Sequence, residues 1–274
     1  MSQQDPVPLE ELAAKDHVIP VGKDYIPGVE RKLRATIMNV FRDPGGPPTD
    51  DISNHELLSE AVFWSLGELI NNANKANNRW ALLRNALTQR ITAESKGAAV
   101  DADKVQQEVD YAIEHNQTDL LKKYNLTNVD LTSSILKLIE MHKTNSFALS
   151  ERFNKRIDVT LRIKPKGGKR TLMIHVLNNS PITVIDKQRV EYNLEKIKDD
   201  LIAAQHSSRD ASVKLYDKAE DNVGGGFGAG LRSIVLFLKE GYAPFKEIEM
   251  KYSTLIQYRS AASSTIFSIE LPIP

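Results

Sequence analysis

Glu68-Leu69-Ile70-Asn71-Asn72-Ala73-Asn74-Lys75-Ala76 lies inside an apolar-periodic run that starts near Asn54 and lasts to about Trp80. At 3.6 residues per turn, Val62, Leu66, Leu69, Ile70 and Ala73 gather on one side of a helix. Glu68, Asn72, Lys75 and Arg79, spaced i, i+4, i+7 and i+11, form a polar stripe on the other. A carboxylate, an amide and an ammonium in one row can polarise water, hold a metal and meet a phosphate. The same residues also make an ordinary solvated helix face.

Working outward, Gly28 to Phe41 reads as a helix with a buried stripe of Val29, Leu33, Ile37, Val40 and Phe41. Asp43-Pro-Gly-Gly-Pro-Pro-Thr-Asp50 breaks it, and Ser53 or Asn54 can cap the next helix. Residues 1–28, punctuated by Pro6, Pro8, Pro20 and Pro27, read mainly as an arm, with His17 to Val21 able to add a short edge strand. From Asn77 to about Phe153 the pattern is helical and reads as three helices, with breaks at Lys96-Gly97-Ala98 and Tyr124-Asn125-Leu126-Thr127. Strand patterning follows. Ile157, Val159, Leu161 and Ile163 alternate with polar residues, Lys166-Gly167-Gly168-Lys169 makes a turn, and Arg170 to Leu177 continues as a second strand. Residues 187–206 read as a charged helix and 207–222 as a polar loop. Leu231 to Lys239 is an apolar helix, and Lys246 to Tyr258 and Ser264 to Leu271 are closing antiparallel strands.

Composition bounds the function classes. Lys plus Arg equals Asp plus Glu, 36 of each, so no global field draws the chain to nucleic acid or a membrane. The absence of cysteine excludes disulfides, thiolate metal sites and cysteine nucleophiles. No apolar run approaches membrane-spanning length, and the acidic start, MSQQDPVPLEELAAKD, lacks a signal-peptide core, so a soluble cytoplasmic protein is expected.

Three stretches together resemble one family. E-x-x-x-N-x-x-K-A at Glu68 to Ala76 is similar to the N-box of the GHKL superfamily, the ATP-binding domains of gyrase, histidine kinases, mismatch-repair proteins and a heat-shock chaperone. Gly224-Gly225-Gly226-Phe227-Gly228-Ala229-Gly230-Leu231, leading into a helix, resembles the family's second glycine box. Glycines let backbone N–H groups turn toward an anion, and the helix terminus adds positive charge that suits phosphate. Ser264-Thr265-Ile266-Phe267-Ser268-Ile269-Glu270-Leu271-Pro272 resembles the G-T-x-F-x-I-x-L-P last strand of histidine kinase ATPase domains. The family's first glycine box, V-x-D-N-G-x-G-I, is replaced by Val176-Leu177-Asn178-Asn179-Ser180-Pro181-Ile182. Asn178 stands where the family has an aspartate that accepts from the adenine amino group, and it keeps a carbonyl oxygen without the charge.

The resemblance covers about three quarters of the chain and implies the Bergerat fold, a magnesium (Mg2+) ion and ATP. By position it implies Asn72 as the magnesium ligand, Lys75 at the phosphates and Glu68 as general base or water-orienting group. Asn178 and Thr265 fall at the adenine pocket, and Gly225, Gly226, Gly228, Gly230 and Leu231 in the phosphate loop. The glycine loop and the polar segment before it would form an ATP lid, spanning Asp210 to Gly226. The expected fold class is α+β (an α/β sandwich), with helices packed on one face of a mixed, mainly antiparallel sheet. An N-terminal arm and helix over 1–53 precede an ATP-binding domain over 54–274, which carries a helical insertion at about 80–153. Asn72 and Lys75 should face a cleft lined by Asn178, Gly228 and Thr265. No histidine sits in a kinase-type phosphoacceptor hairpin: His17 lies in the arm and His55 just before the N-box. Two functions stay open. One is a free-standing kinase-like domain or ATPase acting on a partner protein. The other is a nucleotide-gated interaction module with little or no turnover.

Overall fold

The computed structural model describes residues 5–21, 27–41, 52–94, 102–115, 149–180, 256–261 and 264–273, with single positions 191 and 195. The elements are α1 (Leu9–Ala14), β1 (His17–Val21), α2 (Pro27–Phe41), α3 (Ile52–Glu94), α4 (Ala102–His115), β2 (Ile157–Lys166), β3 (Lys169–Asn178), β4 (Ile256–Ala261) and β5 (Ser264–Ile273). The strands form a five-stranded sheet in the order β1-β2-β3-β5-β4. The fold is α+β, as expected. Every pairing among the described strands is antiparallel, so the mixed character anticipated for the sheet is not found there.

Alternation decides which face is covered. Ile157, Val159, Leu161 and Ile163 of β2, Leu172, Ile174 and Val176 of β3, and Phe267, Ile269, Leu271 and Ile273 of β5 point one way and are buried. They form one core with Leu33, Ile37, Val40 and Phe41 of α2 and Val62, Phe63, Leu66, Leu69, Ile70 and Ala73 of α3. Each such aliphatic or aromatic side chain contributes about 1.5–3 kcal/mol when fully buried, so this shared interior is what holds α2 and α3 to the sheet. The β2–β3 hairpin turns at Gly167 and Gly168, whose φ values of 61° and 77° are those a tight primed turn needs and a β-carbon resists.

Three expectations are corrected. The segment read mainly as an arm holds the helix α1 beside the anticipated edge strand β1, and its Val7 and Leu12 enter the core. Val7 N donates to Thr36 Oγ1 of α2 at 3.0 Å, tying the segment down. The N-box helix does not stop near Trp80 to begin another. α3 runs unbroken for 43 residues to Glu94. Its apolar stripe blurs because Trp80, Ala81, Leu82 and Leu83 are all buried, so the helix is covered on every side there and periodicity loses its meaning. The last two strands end later than read, β4 at Ala261 and β5, which starts at Ser264 as expected, at Ile273. The expected breaks at 96–98 and 124–127, the third helix before residue 149, the helix at 231–239 and the start of the strand at 246 lie outside the described residues, as does the helix at 187–206 except for its helical positions 191 and 195. Among the described residues, no helix is long and apolar enough to cross a membrane.

Candidate functional site

The expected site residues fall into two groups. Glu68, Asn72 and Lys75 lie on successive turns of α3, where Glu68 and Asn72 are half-buried and Lys75 is exposed. Asn72 Nδ2 donates to Glu68 Oε1 at 3.4 Å, a long bond, and Asn72 Oδ1 has no hydrogen-bond partner among the described residues. Asn178 closes β3 and Thr265 is the second residue of β5, and the sheet register makes them direct neighbours. Both face the helix layer and are 4% exposed.

One contact joins the groups. Asn178 Nδ2 donates to the carbonyl of Ala73, the residue after Asn72, at 3.5 Å. Its Oδ1 accepts from Ser180 N at 3.0 Å, closing an Asx turn. A carbonyl on one side and an N–H on the other leave the amide only one satisfactory orientation. The structure thus brings the middle of α3 against the end of β3, with Thr265 of β5 beside Asn178 in the sheet register. Gly225, Gly226, Gly228, Gly230 and Leu231, and the lid expected over 210–226, lie outside the described residues, as does the side chain of Arg79.

Several contacts of this region were not foreseen in the sequence. Ser180 Oγ donates to Asn77 Oδ1 at 2.6 Å, and Ser180 O accepts from Thr265 Oγ1 at 3.1 Å. Asn77 Nδ2 reaches Arg156 O at 3.5 Å. Asn77 follows Leu66, Ile70 and Ala73 on the buried row of α3, and a polar residue breaking that row was the available signal.

Asn179 turns the other way, toward a strap at residues 149–156. Its Oδ1 accepts from Arg156 N at 2.7 Å, its Nδ2 donates to Asn154 O at 2.8 Å, and its carbonyl accepts from Lys155 Nζ at 2.9 Å. The strap is a helix end closed by a Schellman pair. Lys155 N bonds Ser150 O and Asn154 N bonds Glu151 O, both at 2.8 Å, with Asn154 left-handed at φ 52°. Lys155 Nζ also lies 3.6 Å from the centre of the Trp80 ring, so one ammonium serves the strap, the helix and the end of β3.

The donor set can be tested against the groups that the resemblance implies. Magnesium favours oxygen ligands and keeps several waters and phosphates, so one protein oxygen with a carboxylate nearby suits it. Asn72 Oδ1 and Glu68 supply that. No cluster of three or more His, Cys, Asp or Glu side chains able to hold a metal occurs among the described residues. Asn178 and Thr265 fit a base edge in a narrower way, because each already spends part of its hydrogen-bonding capacity on the frame.

Compared with family models, with curated proteins and with solved structures, the chain gives no match.

Proposed function

We propose that the chain is a magnesium-dependent ATP-binding protein of histidine kinase-like type, acting on or controlling a partner protein. What supports the reading is the juxtaposition of Asn178 and Thr265, neighbours across two strands, with the turn of α3 that carries Asn72. In this reading the base lies at the sheet end and the phosphates run along α3. Asn72 offers Oδ1 to magnesium, which screens charge among the phosphates when bound. Lys75, exposed on the next turn, meets phosphate oxygens. Glu68, half-buried and held to Asn72, orients water or takes a proton from the acceptor.

Calorimetric titration with ATP, with and without magnesium, is the deciding experiment. The wild-type chain should bind, and Asn72→Ala should weaken binding chiefly when magnesium is present, with a smaller loss in chelator. Magnesium-dependent binding left intact in Asn72→Ala would remove the central residue of the reading. The observation that favours the second reading, a binding module without turnover, is the double engagement of Asn178 with Ser180 and Ala73. Radiolabelled ATP, supplied alone and with lysate, separates the two: label transfer supports the kinase, and binding without turnover supports the module.

A further inference from the structure

We propose that the end of the sheet at the β2–β3 turn is a docking surface for a nucleic-acid duplex, seated edge-on in the major groove so that cations on both sheet faces meet phosphates on either wall. The inference goes beyond the nucleotide reading and does not depend on it.

Charge is the first observation. From Val159 to Ile185 the chain has five Lys or Arg residues and no Asp or Glu, although the molecule is balanced overall. Four of the five, Lys164, Lys166, Lys169 and Arg170, fall in the hairpin end Lys164-Pro165-Lys166-Gly167-Gly168-Lys169-Arg170. Lys164, Pro165, Lys166, Gly167, Gly168 and Arg170 are all exposed. Glu270 engages Lys166, and Asp16 engages Arg162 further back on β2. Among the described residues this leaves the hairpin end with an excess of positive charge.

Placement is the second. Alternation puts Lys164 and Lys166 on the outer face of β2, whereas Arg170, paired with Pro165, lies on the core-side face beyond the last buried row, Ile163 and Leu172. β1 leaves β2 at Leu161, so that side of the hairpin end has no neighbouring strand among the described residues. A single sheet is about 10 Å thick, judged by the spacing of stacked sheets, and the major groove is about 12 Å wide. A flat anionic surface meets one face or the tip, never both faces. The tip is two glycines held at φ 61° and 77°, with no apolar side chain to enter a lipid layer. Neither strand has a Phe, Tyr or Trp on which single-stranded bases could stack. Cations on both faces, without apolar or aromatic groups, match the two phosphate walls of a duplex groove.

The test is fluorescence anisotropy of the full chain with a labelled DNA duplex, without ATP, as salt is raised. Neutralising about three phosphates makes wild-type affinity fall about fortyfold between about 50 and 200 mM salt. Lys164→Gln and Arg170→Gln remove one cation from each face, and each should reduce that fall to about twelvefold. Arg31→Gln, which removes an exposed charge from α2, should keep the wild-type fall. Urea midpoints establish that the variants are folded. An undiminished salt dependence in either hairpin variant overturns the edge-on seating, because one face then makes no contact. A reduction as large in Arg31→Gln overturns it too, as an effect of net charge alone. Wild-type chain that does not bind the duplex at about 50 mM salt, or binds phosphatidylserine vesicles more tightly, also overturns the proposal; in the first case the lysines and Pro165 only guard the sheet end against edge pairing. Asn72→Ala should bind the duplex as the wild type does, since Asn178 lies nine residues along β3 from Lys169, about 30 Å away at about 3.3 Å per residue. Failure of ATP binding therefore leaves this proposal standing, and failure of duplex binding leaves the nucleotide reading standing.

Discussion

Asn178 shows how much a single side chain must reconcile. As the last residue of β3 it faces the carbonyl of Ala73 with its nitrogen and the N–H of Ser180 with its oxygen. An aspartate, the residue the resembling family carries, satisfies Ser180 but sets a second oxygen against the Ala73 carbonyl. It also brings a charge into a position that is 4% exposed. Asparagine is therefore what the junction between helix and sheet requires, whatever it does for a ligand. Asn178→Asp should lower stability by about 1–3 kcal/mol at neutral pH, the cost of a buried group left without its partner. Urea unfolding of the two proteins measures it. Unchanged stability would mean that the Ala73 contact carries no weight, and that the amide is free to turn toward a base.

At the scale of elements, α3 links the sheet to α4, and the link has a defined clasp. Arg84 of α3 makes a two-pronged ion pair with Asp110 of α4, Nε to Oδ1 at 2.5 Å and Nη2 to Oδ2 at 2.8 Å. The same guanidinium lies 4.4 Å from the centre of the Phe153 ring and 5.5 Å from that of Trp80, and those rings meet edge to face. One cation thus joins α3, α4 and the strap, with only 14% of its side chain exposed. Arg84→Ala should destabilise by about 1.5–3 kcal/mol, in the range for bonds to charged groups. Arg84→Met, which keeps the stem against the rings, should recover part of that loss. If both variants unfold at the wild-type urea concentration, the clasp is ornamental. The clasp also marks the limit of what the sequence could tell. Strands β2, β3 and β5 were legible because one face is buried and the other is not, and the Gly167–Gly168 turn named its own geometry. The long reach of α3 was not, because residues 80–83 are buried on all sides and show no stripe. Asn178 and Thr265 were legible as strand-end positions in a recognisable pattern. The bond between Asn77 and Ser180 was not, since it joins residues more than a hundred positions apart.

For the molecule as a whole, charge is balanced at 36 against 36, so its response to pH comes from particular groups rather than from net repulsion. The sheet face away from the core carries the relevant one. His175 of β3 is half-buried, with Nδ1 2.7 Å from Ser268 Oγ of β5. Burial pulls its pKa below the ordinary histidine value near 6.5. The carboxylates of Asp16 and Glu270 push the other way, and Lys164 and Arg259 add to the lowering. Asp16 is paired with Arg162 at 2.8 Å, and Glu270 with Lys166, so the two carboxylates that favour protonation are already engaged with cations. A histidine whose folded pKa is depressed binds its proton more readily in the unfolded chain. Its contribution to stability is therefore whole above about pH 6.5 and falls as the pH drops from there toward the folded value. The depressed carboxylates act in a separate, lower window. Asp16, lowered chiefly by its bond to Arg162, and Glu11, lowered chiefly by its bond to His17, stabilise above their ordinary range and lose that contribution as pH falls through their folded values. The urea midpoint of the wild type should accordingly decline in two stages on acidification, the first beginning near pH 6.5. His175→Gln can keep a hydrogen bond to Ser268 but cannot gain a proton, so it should flatten the first stage and leave the second. A first stage of equal slope in His175→Gln would place the titrating group elsewhere and detach the acid response from this face of the sheet.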